Sequence, residues 1–155
     1  MFESRHSPRE IAFVYASLGF PVELHFGKTS FVTTTRLSAV AMPPELGQAV
    51  RQLTGDAWRG PIITHTKVGR EWVFLVGPNR GRGLGVRSLA ALEQHGVRVL
   101  AAGSRVWLPM SDAPTGWHWA SPPQERALSV PSRTFVLRAV QNVLVDRAPA
   151  AALRW

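Results

Sequence analysis

Cysteine is absent from this sequence of 155 residues. Its absence excludes disulfides, thiolate zinc sites, iron–sulfur clusters and cysteine nucleophiles. No apolar run approaches the roughly 18 residues of a membrane-spanning helix, so we expect no membrane contact. The first residues of the chain are charged and lack the apolar segment of a secretory signal. We therefore expect a cytoplasmic protein.

Acidic residues are few and scattered. Asp and Glu together number 10 against 18 Lys and Arg, which gives a formal net charge of +8. The sequence contains no D-x-D pair and no H-E-x-x-H motif, which are spacings that gather metal-binding side chains on one strand or helix. We therefore predict that the protein holds no metal ion and no other cofactor.

Arginine dominates the basic residues, with 16 Arg against 2 Lys. A guanidinium group binds phosphate and stacks on bases better than an ammonium group does, which favours a nucleic-acid partner. Codon bias in a GC-rich genome would produce the same preference. The charge excess is concentrated at residues 61–110, which contain seven basic and two acidic residues. We expect a partner-binding face there.

Capping signals and apolar periodicity predict four helices and about six strands. The helices begin near residues 7, 43, 86 and 132. The strands lie at residues 20–26, 30–35, 60–66, 71–76, 97–101 and 105–108, and residues 109–123 are predicted to be irregular. This order is typical of the α+β class, here with one mixed, mostly antiparallel sheet. We predict one domain over residues 1–147 and a tail over residues 148–155.

A glycine- and arginine-rich loop follows the strand predicted at residues 71–76. Its sequence, PNRGRGLG, places backbone amides and the start of a helix where they could bind a phosphate. It matches neither the Walker A motif nor the dinucleotide-binding fingerprint. A basic loop without a ligand is the alternative. The nucleic-acid hypothesis assigns phosphate contacts to Arg80, Arg82 and Arg87.

Three of the six tryptophans fall close together, on a proline-rich stretch. They are Trp107, Trp117 and Trp119, which are accompanied by His118 and preceded by Arg105. Aromatic side chains of this kind can stack on bases or on a nucleotide. Alternatively, the tryptophans cover the open face of a sheet, and His118 is an ordinary surface or core histidine.

Four stretches of the sequence occur in the order of a known domain. They are AFVYASLGFPV at residues 12–22, GPII at 60–63 followed by WVFLV at 72–76, LAALEQHGVRVL at 89–100, and a loop at 108–123 that contains LPMS, GWHW and PP. Together they resemble the N-terminal domain of the bifunctional DNA primase/polymerase (prim-pol) family. The LPMS segment adds Ser111 to the candidate nucleic-acid-binding residues.

The resemblance implies nucleotide transfer by two divalent ions, Mg²⁺ or Mn²⁺, held by a strand-borne pair of acids and a third carboxylate. The matching positions, just before the second helix, are occupied by Ser38 and Ala41. A hydroxyl or a methyl group cannot neutralise a divalent cation. We therefore expect a degenerate relative without catalytic residues that binds nucleic acid or a nucleotide.

Two alternatives stay open at this point. An active metal-dependent primase/polymerase would need Asp56, Glu71 and Asp112 to be brought together by folding. For Asp112, a local Asx turn with the backbone is the competing interpretation. A regulatory module would instead use the basic surface to bind an acidic protein partner.

Overall fold

A computed structural model of the protein describes residues 1–2 and 6–148. The helices are α1 (Pro8–Leu18), α2 (Pro44–Thr54), α3 (Val86–Gln94) and α4 (Arg133–Arg147), and a short 3₁₀ turn (Gly55–Ala57) follows α2. The strands are β1 (Val22–His25), β2 (Lys28–Val32), β3 (Ser38–Met42), β4 (Ile62–His65), β5 (Trp72–Val76), β6 (Arg98–Val99), β7 (Arg105–Trp107) and β8 (Trp117–Ser121). The predicted α+β class is confirmed. Apart from Ala148, the predicted tail lies outside the described residues.

The local signals at the helix ends form the caps that the sequence predicts. The Ser7 Oγ accepts a hydrogen bond from the Glu10 N–H at 3.3 Å, and the Glu10 carboxylate accepts one from the Ser7 N–H at 2.6 Å. Gly19 ends α1 with φ 103°, a left-handed conformation that favours glycine. Ser132 caps α4, since its Oγ accepts from the Phe135 N–H at 3.1 Å. None of the described helices is long and apolar enough to cross a membrane.

The strands form two sheets, and every pairing between the named strands is antiparallel. Five strands pair in the order β6-β3-β5-β4-β8, and three pair in the order β1-β2-β7. The sequence patterns do not predict β3 and β8. Strand β3 shows no polar alternation because all five of its residues are buried. Strand β8 lies in the proline-rich stretch, so the prediction of irregular structure is wrong for Trp117–Ser121.

The five-stranded sheet lies between two hydrophobic cores. One face, which carries Val40, Met42 and Phe74, packs against α2, α3 and α4. The other face, which carries Ala39 and Leu75, packs against α1 and the three-stranded sheet. Successive side chains of a strand point to opposite faces, so β3 contributes to both cores. The second core does not fill the whole space between the two sheets. At one end of the sheets, the unfilled space forms a cleft.

Gly47 allows α2 to approach β5 closely. A Cβ atom at this position would lie 2.8 Å from the Cβ of Trp72 and 2.9 Å from its Cγ. We expect Gly47→Ala to lower the free energy of unfolding by about 1–3 kcal/mol through overpacking, measured by urea unfolding. The control is Gln52→Ala, at an exposed position of the same helix, which should change stability by less than about 0.5 kcal/mol. Equal effects of the two variants would contradict the close contact.

Candidate nucleic-acid interface

A cleft lies between the five-stranded sheet and the three-stranded sheet. Its inner part has a volume of about 160 Å³, and Ala41, Ile63 and Val73 form an apolar floor. These three residues belong to neighbouring strands and are paired across β3, β5 and β4. Val106 and Trp107 of β7 form the opposite wall. Both sheets therefore build the cleft.

Three arginines line the same cleft. Arg98 lies on β6 directly opposite Ala41, so it continues the row of floor residues to the edge of the sheet. Arg105 reaches the cleft from β7, and Arg70 reaches it from the turn between β4 and β5. An anionic ligand that enters the cleft therefore meets positive charge from both sheets.

Two carboxylates orient two of these arginines. Glu71 accepts a hydrogen bond from the Arg98 Nη2 at 2.7 Å and another from its Nε at 3.3 Å. These hydrogen bonds raise the pKa of Arg98 above its usual value, because the carboxylate stabilises the charged guanidinium. The Arg105 Nη1 donates to Glu23 at 3.2 Å and to the hydroxyl of Ser30 at 2.7 Å. Each of these two guanidinium groups therefore has a carboxylate partner that orients it.

Two half-buried tryptophans separate the inner cleft from a wider outer part of about 430 Å³. Trp107 is paired with Ser30 in the three-stranded sheet, and Trp117 is paired with His65 in the five-stranded sheet. The guanidinium carbon of Arg70 lies 6.0 Å from the ring centre of Trp117, within cation–π range. Partly exposed indole rings beside cations are suited to stacking on bases.

Four of the residues predicted to bind nucleic acid come together at this cleft. Arg105 lines the inner part, Ser111 lines the outer part, and Trp107 and Trp117 line both. Lys28, the first residue of β2, adds a fourth cation in the outer part. The candidate nucleic-acid interface is this cleft. Its candidate binding residues are Lys28, Arg70, Arg98, Arg105, Trp107, Ser111 and Trp117.

Two predicted residues on β8 are placed differently. Trp119 lies on the cleft side of the sheet but packs into the core, with its ring centre 6.2 Å from that of Tyr15 and 6.4 Å from that of Phe20. His118 alternates with the two tryptophans and lines a depression over the turn between β4 and β5. Trp119 therefore covers a face of the sheet, which was the alternative to a role in stacking on bases.

The glycine- and arginine-rich loop lies away from the cleft. It follows the last residue of β5, whereas the cleft lies at the strand's beginning. The backbone N–H of Arg80 donates to the Thr134 Oγ1 at 3.3 Å, and the Arg138 Nη2 donates to the carbonyl of Arg82 at 3.2 Å. These bonds tie the loop to α4, which packs on the opposite face of the five-stranded sheet. Arg80, Arg82 and Arg87 are exposed there on a separate surface.

The positions expected to carry acids in an active relative do not face one site. Ala41 lines the cleft, but Ser38 is three residues away on β3, so its side chain points to the opposite face. The residue that shares the face of Ala41 at the D-x-D spacing is Ala39, which is fully buried. Neither position on the cleft side supplies an oxygen ligand.

The three acids of the active-enzyme alternative do not form a cluster. Among the described residues, no group of three or more His, Asp or Glu side chains could hold a metal ion. Glu71 forms an ion pair with Arg98, and Asp56 is exposed in the 3₁₀ turn. The Asp112 carboxylate accepts hydrogen bonds from the Phe2 N–H and from the amino group of Met1, so it joins its loop to the start of the chain.

Sequence reasoning missed Lys28, Arg70 and Arg98 as site residues. Arg70 and Arg98 belong to the charge excess of residues 61–110, but their spacing does not distinguish them from the loop arginines. The pairing of β6 with the unpredicted strand β3 brings Arg98 to the cleft. The charge excess could therefore indicate a basic surface. It could not assign each arginine to one surface or another, because that assignment depends on strand register.

Comparison with known proteins provides no relative from which a function could be transferred. No family model, no curated protein and no solved structure matches the chain.

Proposed function

We propose that the protein is a non-catalytic nucleic-acid-binding domain that holds a single strand in the cleft. The observation that carries the proposal is the convergence of three arginines and two half-buried tryptophans on one cleft. Guanidinium groups bind phosphates and indole rings stack on bases, which is the combination that single-strand-binding proteins use. A duplex would leave the tryptophans unused, because its bases already stack on each other.

The pairing of two carboxylates, Glu71 in the lining of the cleft and Glu23 beside it, supports a binding role. Catalysis by two metal ions requires several carboxylate oxygens that converge on one point. Glu71 and Glu23 are instead each paired with an arginine, at 2.7 Å and 3.2 Å respectively. Their function in the proposed complex is to orient Arg98 and Arg105 toward the phosphates.

The relationship to the prim-pol family is part of the same proposal. The cleft runs across β3, which is the strand before α2 where the resemblance expects metal-binding acids. We propose a relative that keeps a nucleic-acid-binding cleft and carries alanine on the face that held the acids.

Binding of a fluorescent oligothymidine, measured by anisotropy at several salt concentrations, tests this function. The cleft offers four cations, Lys28, Arg70, Arg98 and Arg105. The logarithm of the association constant should therefore fall with the logarithm of the salt concentration with a slope of about −3, since each contact with a single strand contributes about 0.7. A flat salt dependence would contradict the proposal.

Competition experiments separate this function from its alternatives. A duplex of equal length, a mononucleotide and polyglutamate are each added to the preformed complex. The proposal expects all three to compete more weakly than unlabelled single strand. Equal competition by polyglutamate would instead favour an acidic protein partner, and equal competition by the mononucleotide would favour a nucleotide pocket.

A further inference from the structure

The hairpin between β1 and β2 exposes an aromatic ring at its tip. His25 is paired with Lys28, so Phe26 and Gly27 alone form the turn. Both have positive φ, 50° for Phe26 and 70° for Gly27, as in a type I′ turn. The side chain of Phe26 is 90% exposed.

Phenylalanine is a poor residue for this position on grounds of stability and solubility. Type I′ turns favour Asn, Asp or Gly at the first central position, because these residues tolerate the left-handed conformation. A bulky residue with positive φ is an outlier that suggests a functional role. The exposed ring also gains nothing from burial in the folded chain. If folding were the only role of the turn, asparagine before Gly27 would therefore form it better than Phe26 does.

The tip lies beside the cleft and is joined to it by aromatic rings. The ring centre of Phe26 lies 4.4 Å from that of His25, which lies 5.9 Å from that of Trp107. Lys28, on the other side of the turn, lines the outer part of the cleft. Ser30, which is paired with Trp107, lies only two residues after Lys28, the first residue of β2, so the tip lies just beyond this end of the strand pair.

We propose that Phe26 is a stacking platform for a base of the single strand after the strand has left the cleft. The inference rests on the proposed function and adds the direction of the strand: from the two tryptophans, over His25, to the hairpin tip. Lys28 at the same turn and the arginines of the neighbouring cleft favour a polyanion as its partner. A second copy of the chain would bring another positively charged cleft, and one ring offers little apolar area for insertion into a bilayer.

Two variants and one control separate this role from a structural one. Phe26→Asn removes the ring and supplies the residue that the turn prefers, and Phe26→Ala removes the ring alone. Val68→Asn is the matched control, because Val68 is 97% exposed in the turn between β4 and β5. Oligothymidines of about four and about sixteen nucleotides, a range that covers common single-strand sites, are the probes.

The two probes are expected to respond differently. Both Phe26 variants should bind the long probe about tenfold more weakly, the usual effect of losing one stacked base, and the short probe within about twofold of the wild-type protein. Phe26→Asn should keep or raise the melting temperature, so a loss of affinity cannot be assigned to unfolding. Val68→Asn should change neither affinity.

Each other result overturns the inference in a recognisable way. If the Phe26 variants bind both probes like the wild type while cleft variants lose them, the stacking role fails and the proposed function stands. If the wild type binds neither probe, the proposed function fails as well. A change in molecular mass by light scattering, or in binding to anionic vesicles, without a change in probe affinity would assign the ring to a second copy or to a membrane.

Discussion

Replacing Arg98 and Arg105 together by alanine is expected to weaken binding of a single-stranded oligonucleotide by about 100-fold or more. Each guanidinium would make a charge-assisted hydrogen bond to phosphate, worth about 1.5–3 kcal/mol. The salt slope should become shallower by about 1.4, because each lost contact removes about 0.7. Anisotropy titrations at about 50 mM and 200 mM salt measure both quantities.

The arginine-rich loop offers a control with the same change of charge. Arg82→Ala in the loop combined with Arg87→Ala in the first turn of α3 removes two charges beyond the far end of β5. The affinity for the oligonucleotide should then fall about threefold or less, because only long-range attraction is lost. A larger loss in this control than in the cleft variant would refute the cleft and favour the loop as the binding surface. Circular dichroism of both variants establishes that they are folded.

The ionisation of Tyr15 is expected to unfold the protein at alkaline pH. The ring of Tyr15 is fully buried, and its hydroxyl donates to the carbonyl of Pro109 at 2.5 Å. Burial raises the pKa of this phenol above its ordinary value of 10.0. Below pH 10 both the folded and the unfolded chain hold the proton, so the stability is at its full value. As the pH rises further, only the unfolded chain ionises, and stability falls by up to about 1.4 kcal/mol per pH unit.

The sequence makes this prediction simple to measure, because Tyr15 is the only tyrosine. Tyrosinate absorbance should increase above pH 10 only together with the loss of the circular dichroism signal. Tyr15→Phe should reduce the alkaline loss of stability but cost about 1–3 kcal/mol at neutral pH, since the Pro109 carbonyl loses its partner. Reversible ionisation near pH 10 with an unchanged spectrum would contradict the prediction.

The helices and the local hairpins were predictable because their signals lie within a few residues. Ser7 and Glu10 specify the start of α1, and the apolar alternation around Trp72 and Phe74 specifies β5. Strand β3 was not predictable in this way. Its sequence, SAVAM, is small and apolar on both faces because a core covers each face.

The sequence predicts the residue types of the candidate site, arginine and tryptophan, but only some of the individual residues that line it. Trp107 and Trp117 are placed at the cleft as their clustering suggests, whereas Trp119, two residues further along β8, is packed into the core. Arg98 and Arg105 come from different sheets, and no local pattern joins them. Their assembly depends on strand register, which is decided by burial over the whole fold.

The shared five-stranded sheet also limits how this protein can evolve. One layer of backbone separates the helices from the cleft, and close-packed interiors transmit strain instead of absorbing it. A bulkier side chain between α2 and β5 is therefore expected to shift Val73 on the opposite side of the strand as well as its own neighbours. The position of the cleft floor therefore depends on residues that lie outside the cleft. Sequence drift should accumulate on the outward surfaces of the helices, where it leaves recognition unchanged.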